Sequence, residues 1–445
     1  APIITISMTD LRNDATSIFD SAVSSAMPSS LINKKIQRIG DSLIINNKKY
    51  ILNRNVKVVA FGKASVDFSK SIENLIGDHI TEGIASVPKG ILNHFNYSNE
   101  KIILREGAED NLPDKNSEET TNLICQMMKN SSKEDIILVL ISGGGSSLLS
   151  MPAEGISSSD KLQTINLISQ NGGDITQLNT VRKHISAIKG GQLSQHASPA
   201  TVISLIISDV LDDSLDVIAS GPTVPDSSTF GDALKVIHDL SLENKIPESV
   251  MERLLKGSLG ELDETPKSVN NTDTFILGSN KDALTSAKRE AESLGYEVFI
   301  HSSNISGFAR DVGLEYADLA KMKIQEGIQR KICILGSGET TVNVKGNGLG
   351  GRSQELSLAA ALELQGLNNV LLLSAGSDGQ DGPTDAAGAF ADGQTTKRAQ
   401  SLGLDFNNYL DRNDSYNFFV KMKDIFSPGL TGTNINDLQI LLITP

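Results

Sequence analysis

Gly143, Gly144 and Gly145, followed by Ser146 and Ser147, close the apolar run DIILVLIS and are residues whose types suit a definite chemistry. Residues without a Cβ let backbone N–H groups converge on an anion, and a helix starting directly behind them adds its positive end, so phosphate is the natural guest. Tight turns also use glycine, and the stretch is not a Walker A loop, since GxxxxGK[ST] is absent. Lys63, directly behind VKVVAFG, brings a point charge able to neutralise a transferring phosphoryl group; from position alone, a solvated lysine at a helix start is the plainer reading. Asp209, Asp212 and Asp213 follow another apolar run, a density of carboxylates suited to Mg²⁺ or to accepting a hydroxyl proton. Helix capping explains one of them more easily than three.

Two later loops carry comparable groups. Gly346, Gly348 and Gly351 formally match the dinucleotide fingerprint GxGxxG. The preceding TVNVK alternates like a half-exposed hairpin strand, whereas the fingerprint requires a buried parallel strand and a suitably spaced ribose-binding acid, which does not follow. Arg352, at the start of a strong helical stretch, offers a rigid guanidinium fork for a carboxylate or phosphate, with a surface arginine as the bland alternative. Asp378, Asp381 and Asp385 stand among glycines behind VLLL, and turns usually need fewer acids, which favours metal or substrate binding there.

These loops need a scaffold that brings strand ends together. VKVVAFG (56–62) runs into the helical KASVDFSKSIENLI, and the pattern of an apolar β-rich run emptying into a Gly, Ser or Asp loop returns at 135–150 and 201–226. Such repetition predicts a parallel sheet with helices on its faces. The polar stretch KGSLGELDETPKSVNNTD (256–273) reads as a linker, after which 274–300 has the length of one βαβ unit, with further strands at KICILG and NVLLLSAG. At the start, an amphipathic helix capped by Thr9 precedes the strand-like LIINNKKYIL, and it could pack on either domain.

The 445 residues exceed the ~250–300 at which one core stops growing, so two domains are expected. A formal charge of −14 repels phosphate backbones and excludes a general grip on nucleic acid or anionic membrane. Apolar runs are too short for a bilayer span, and APIITISMTDLRNDA does not read as a secretory signal. Cys125 and Cys333 lack metal or redox spacing and read as reduced core thiols of an intracellular protein. The six histidines include no HxxxH or HExxH pair.

Taken in order, LNTVRKHISAIKGGQL (178–193), ISDVLDDSLDVIASGPTVPDSSTF (207–230), ETTVNVKGNGLGGRSQEL (339–356), SDGQDGPTDAAGA (377–389) and TGTNINDLQILLI (431–443) resemble the type II glycerate kinases, the family with the MOFRL domain. The likeness covers nearly the whole chain. It implies a two-domain α/β fold: an N-terminal Rossmann-like three-layer α/β/α domain with a mostly parallel sheet (1–255), a C-terminal α/β MOFRL domain (256–445), and an active site in the cleft between them. It also implies ATP- and Mg²⁺-dependent phosphorylation of D-glycerate at its 2-hydroxyl, giving 2-phosphoglycerate. The lysine of the family's GKA motif falls on Lys63 and the arginine of its GGRNQEL motif on Arg352, both catalytic there; Ser353 replaces the usual asparagine.

Around these two, Asp209 is expected as base or metal-organising carboxylate, and Ser142, Gly143 to Ser147 and Lys189 as the phosphate-binding set. Asp213, Glu339, Asp378, Asp381 and Asp385 are candidates for substrate or metal, with Mg²⁺ held through the nucleotide phosphates. A cytoplasmic monomer or homodimer is expected, a mitochondrial location being left open. Two rival readings are an NAD(P)H-dependent hydroxypyruvate reductase, which GNGLGG superficially favours, and a sensor of nucleotide or organic acid that has lost turnover.

Overall fold

The computed structural model describes residues 7–52, 55–95, 100–109 and 112–445; residues 1–6, part of the stretch read against a secretory signal, lie outside them. The chain divides into two compact units, Leu31–Leu277 and a discontinuous one of Ala1–Ser30 with Gly278–Pro445.

The first unit, Leu31–Leu277, is built on a six-stranded sheet in the order Ile102–Gly107, Ile80–Pro88, Asn55–Phe61, Asp135–Ile141, Thr201–Ile207, Thr272–Gly278. The first five are mutually parallel. Asp135–Ile141 is buried at every residue, as a strand covered on both faces must be, which is why it reads as an unbroken apolar run. Register aligns the exits: Phe61 pairs with Ile141 and Ile141 with Ile206, so the loops carrying Lys63, Gly143 and Asp209 leave the same edge of the sheet. Beside this core, the helices Ser158–Gln170, Ile175–His184, Phe230–Asp239 and Glu248–Ser258 share a second apolar cluster that includes Val181, Phe230 and Ile237.

Three sequence expectations change here. Thr272–Gly278 is the edge of this first sheet while Glu297–Ile305 lies in the other, so 274–300 is not a βαβ unit. The expected linker is packed down: Thr265 donates to buried Asp226 at 2.8 Å, and the Asn271 amide donates to the Ser194 and Ala200 carbonyls, both at 3.1 Å. LIINNKKYIL is a hairpin rather than one strand, Ser42–Ile45 against Lys48–Ile51, because Asn46 and Asn47 both adopt positive φ, as a two-residue turn requires.

The second unit holds a mixed six-stranded sheet, ordered Glu297–Ile305, Ile332–Gly338, Asp437–Ile443, Val370–Gly376, Gly388–Asp392, Ile425–Phe426. Asp437–Ile443 runs antiparallel between two strands that it pairs along their whole length. The N-terminal helix Met8–Ser25 belongs to this unit, burying Leu11, Ile18 and Phe19, with Phe19 edge-on to Phe426 at 4.9 Å. Its cap is Ser7, not Thr9: the Ser7 hydroxyl accepts the Asp10 N–H and Asp10 returns the bond to the Ser7 N–H, a reciprocal box that Thr9, one residue inside the helix, cannot form. Both cysteines are free and buried. Among the described residues no helix is long and apolar enough to cross a membrane.

Candidate active site

In the first unit the sequential order of strands reverses between Asn55–Phe61 and Asp135–Ile141, the switch point at which open α/β sheets collect ligands. Lys63 leaves one of these strands and residues 142–145 the other, and the two loops are tied together. Lys63 N donates to the Gly143 carbonyl at 2.7 Å and Ala64 N to Ser142 Oγ at 3.0 Å. The approach requires glycine at Gly62, φ 117°, where a Cβ would fall 2.2 Å from Ser142 Oγ. At Gly144, φ 78°, a Cβ would fall 3.1 Å from Lys63 Cγ, so the lysine stem lies along the glycine loop. Ser142 is buried with its hydroxyl engaged in this tie.

The helix behind the glycines is a single turn, Gly145–Leu148, shorter than the dipole-bearing helix expected. Too few peptides are aligned there to sum to a macrodipole, so anion binding would rest on loop N–H groups and on cations. One of those N–H groups, that of Gly144, already donates to Asp209 Oδ2 at 3.3 Å, a carboxylate oxygen where phosphate was expected. Asp212, Asp213, Ala219 and Ser220 all have φ between 51° and 65°, four non-glycine residues in the left-handed region of one loop. Each costs roughly 1–3 kcal/mol, strain of the kind functional loops store. Lys189 is buried, its Nζ turned to the carbonyls of Ala219 at 3.2 Å, Leu149 at 3.4 Å and Ser146 at 3.5 Å, and burial drives its pKa far below the ordinary lysine value. Ser147 Oγ donates to the Gly144 carbonyl at 3.1 Å.

In the second unit Arg352 opens the helix Arg352–Glu363 and forks onto Asp437, Nε to Oδ2 at 2.6 Å and Nη2 to Oδ1 at 3.0 Å, while Nη1 donates to Glu339. The antiparallel strand makes this geometry: Asp437 is its first residue and pairs with both Gly338 and Gly376, the last residues of its neighbours, so the acid arrives where their loops begin. Asp381 accepts the Ser353 and Gln354 N–H groups at 3.0 and 2.8 Å, capping the same helix from another loop. Burial works against the Arg352 charge, but Asp437 and Glu339 outweigh it and hold its pKa above the ordinary value. Burial, reinforced by Asp437, pushes the Asp381 carboxyl up to about 7 despite its N–H donors. Burial also raises Asp437, with Arg352 pulling it back.

Asp378 accepts the Gln380 N–H at 3.0 Å and its charge reaches Asp437. Asp385 is exposed and takes the Tyr416 hydroxyl at 2.7 Å. Arg352, Glu339, Asp378 and Asp381 are thus brought together around Asp437, and Asp385 is engaged elsewhere. Sequence reasoning did not single out Asp437; its signal was an acid directly before a mostly apolar strand run, LQILLI.

TVNVK forms no hairpin strand, only a bridge at Thr341. The glycines behind it close on the chain itself: Gly346 N donates to Asn413 Oδ1 and Gly348 N to the Arg412 carbonyl, both at 2.9 Å, and a Cβ on either glycine would fall within 2.5 Å of that carbonyl oxygen. The formal dinucleotide fingerprint is therefore a packing feature.

Residues 14–255 match the family described as a domain of unknown function (DUF4147), and residues 332–437 match the MOFRL family. The glycerate kinase of Danio rerio is 36% identical over 98% of this chain and 99% of its own. The D-glycerate 2-kinase of Thermotoga maritima is 37% identical over 93% of this chain and 97% of its own. Among solved structures, the glycerate kinase from Thermotoga maritima matches with a TM-score of 0.83 at 36% identity, covering 98% of this chain and 100% of that one.

Proposed function

As the chain belongs to the type II glycerate kinases, the family with the MOFRL domain, we propose that it transfers the γ-phosphoryl group of ATP to the 2-hydroxyl of D-glycerate, giving 2-phosphoglycerate and ADP. The observation that carries this reading is Lys63 lying along Gly144 at the switch point, a cation fixed against a glycine loop, in a chain alike over nearly its full length to a D-glycerate 2-kinase. In the transfer the 2-hydroxyl oxygen attacks phosphorus, the bond to the β-γ bridging oxygen breaks, and ADP leaves with its electrons. Lys63 stabilises charge on the transferring group. Arg352, held rigid by Asp437 and Glu339, supplies a second cation for a phosphate or carboxylate oxygen. Asp209, within the glycine loop's hydrogen-bond reach, takes the hydroxyl proton or orients its acceptor.

Among the described residues no group of three or more His, Cys, Asp or Glu is placed to hold a metal ion, and the carboxylates around Arg352 are already turned to it, to helix N–H groups or, for Asp378, to the loop N–H of Gln380. A protein cage for Mg²⁺ does not fit these residues; a cation riding on the nucleotide phosphates does. The reading extends to a cytoplasmic monomer or homodimer. The ³¹P NMR spectrum of the protein with ATP, Mg²⁺ and D-glycerate tests it. A 2-phosphoglycerate signal is expected, a 3-phosphoglycerate signal would overturn the regiochemistry, and no transfer by folded protein would overturn the kinase.

A further inference from the structure

Beside the glycine loop, inside the first unit, lies a cavity of about 480 Å³, within the range that holds drug-sized ligands. Three cations line it: Lys189, Lys161 from the helix Ser158–Gln170, and Arg182 from the helix Ile175–His184. Lys161 and Lys189 are buried, and Lys161 Nζ donates to a neutral partner, Ser150 Oγ, at 2.9 Å, with the charge of Glu118 acting on it. Among the described residues, Glu118 is the one carboxylate in the lining. Gathering like charges out of water is costly unless an anion joins them. That cost is visible in the groups themselves: burial pushes Lys161 down to about 8 and lowers Arg182, and in Lys189 the repulsion of the other two adds to burial.

Ser146 and Ser147 of the glycine loop line the same space, so the cations and the loop face one guest. Apolar side chains share the lining: Leu112, Pro113, Leu162 and Ile165. A three-carbon hydroxy acid brings a single negative charge and no apolar face, and would leave most of this cavity unfilled. A nucleoside triphosphate matches both kinds of lining, its several charges suiting the cations and its flat heterocycle the apolar side chains.

We propose that this cavity is the donor site, with Lys161 and Arg182 holding the triphosphate beside Lys189, and Leu162 and Ile165 lying against the base. The assignment rests on the kinase reading above and adds to it the residues that bind ATP. Lys161 and Arg182 are binding residues that the sequence did not single out, since each sits within a helix rather than in a glycine-rich or acidic loop.

Calorimetric titration of the whole protein with AMP-PNP, a non-hydrolysable ATP analogue, tests it in Lys161→Met, which keeps the aliphatic stem, and in Arg182→Gln. Each removes charge-assisted bonds, so affinity should fall about 10- to 100-fold, and the ATP Michaelis constant should rise in step while that for D-glycerate stays nearly constant. Lys161→Arg should restore binding. Should the lysine variant not fold, Leu162→Trp, at a half-exposed wall position, fills the base end; it should weaken AMP-PNP and leave inorganic tripolyphosphate binding intact. Unchanged AMP-PNP affinity in the charge variants, or a rise confined to the D-glycerate constant, would overturn the assignment. The kinase reading fails separately, through a wild type that binds AMP-PNP and transfers nothing.

Discussion

Removing the Arg352 guanidinium takes away more than the charge proposed for catalysis, because Asp437 is 3% exposed and would be left buried without its ion partner. Breaking such a pair costs roughly 3–5 kcal/mol, so Arg352→Ala should lower the urea midpoint as well as turnover. Arg352→Lys, which keeps one charge but loses the fork, should recover stability in part while turnover stays low. Lys63→Ala should instead lower kcat about 10²- to 10³-fold with the far-ultraviolet circular dichroism unchanged, and near-normal turnover in the folded variant would remove Lys63 from the chemistry. Asp381 sets a pH dependence. Its folded pKa, about 7, exceeds the ordinary 3.8, so the folded state holds the proton more tightly. The stability this contributes is complete below the unfolded value and is lost as pH rises through the folded one. Thermal midpoints of wild type should therefore fall between about pH 4 and 7 more steeply than those of Asp381→Asn, and parallel curves would contradict the raised pKa.

The elements differ in how openly the sequence declares them. VKVVAFG and DIILVLI are apolar at nearly every position because both faces of their sheet are covered, so strand, loop and the position of Lys63 were all legible. Strand direction was not: DLQILLI reads as an apolar-rich run like its two neighbours, and only its antiparallel pairing with both reveals the reversal that delivers Asp437 to the carboxyl ends of Ile332–Gly338 and Val370–Gly376. TVNVK misled because its alternation reflects a loop lying along the chain at residues 412–415 rather than a ladder. That close approach predicts that Gly348→Ala, which would put a methyl 2.5 Å from the Arg412 carbonyl oxygen, forces the loop to shift. A loss of about 1–3 kcal/mol is expected by chemical denaturation, with no effect meaning that the loop relaxes freely.

At the scale of the whole molecule, each unit has its own sheet and apolar core, yet only one is continuous in sequence. The helix Met8–Ser25 fills part of the second unit's core region through fully buried Phe19. Phe19→Ala should cost about 3–5 kcal/mol there, seen by differential scanning calorimetry as an earlier transition in the part that contains Gly278–Pro445. An unchanged profile would mean that the helix is not integral to that unit. Its discontinuity also has a meaning during synthesis. The helix is synthesised some 250 residues before the helix Asn280–Ser293 on which it packs. At roughly 5–20 residues per second its apolar face waits uncovered for about 12–50 s, a window in which nascent-chain chaperones have a natural client.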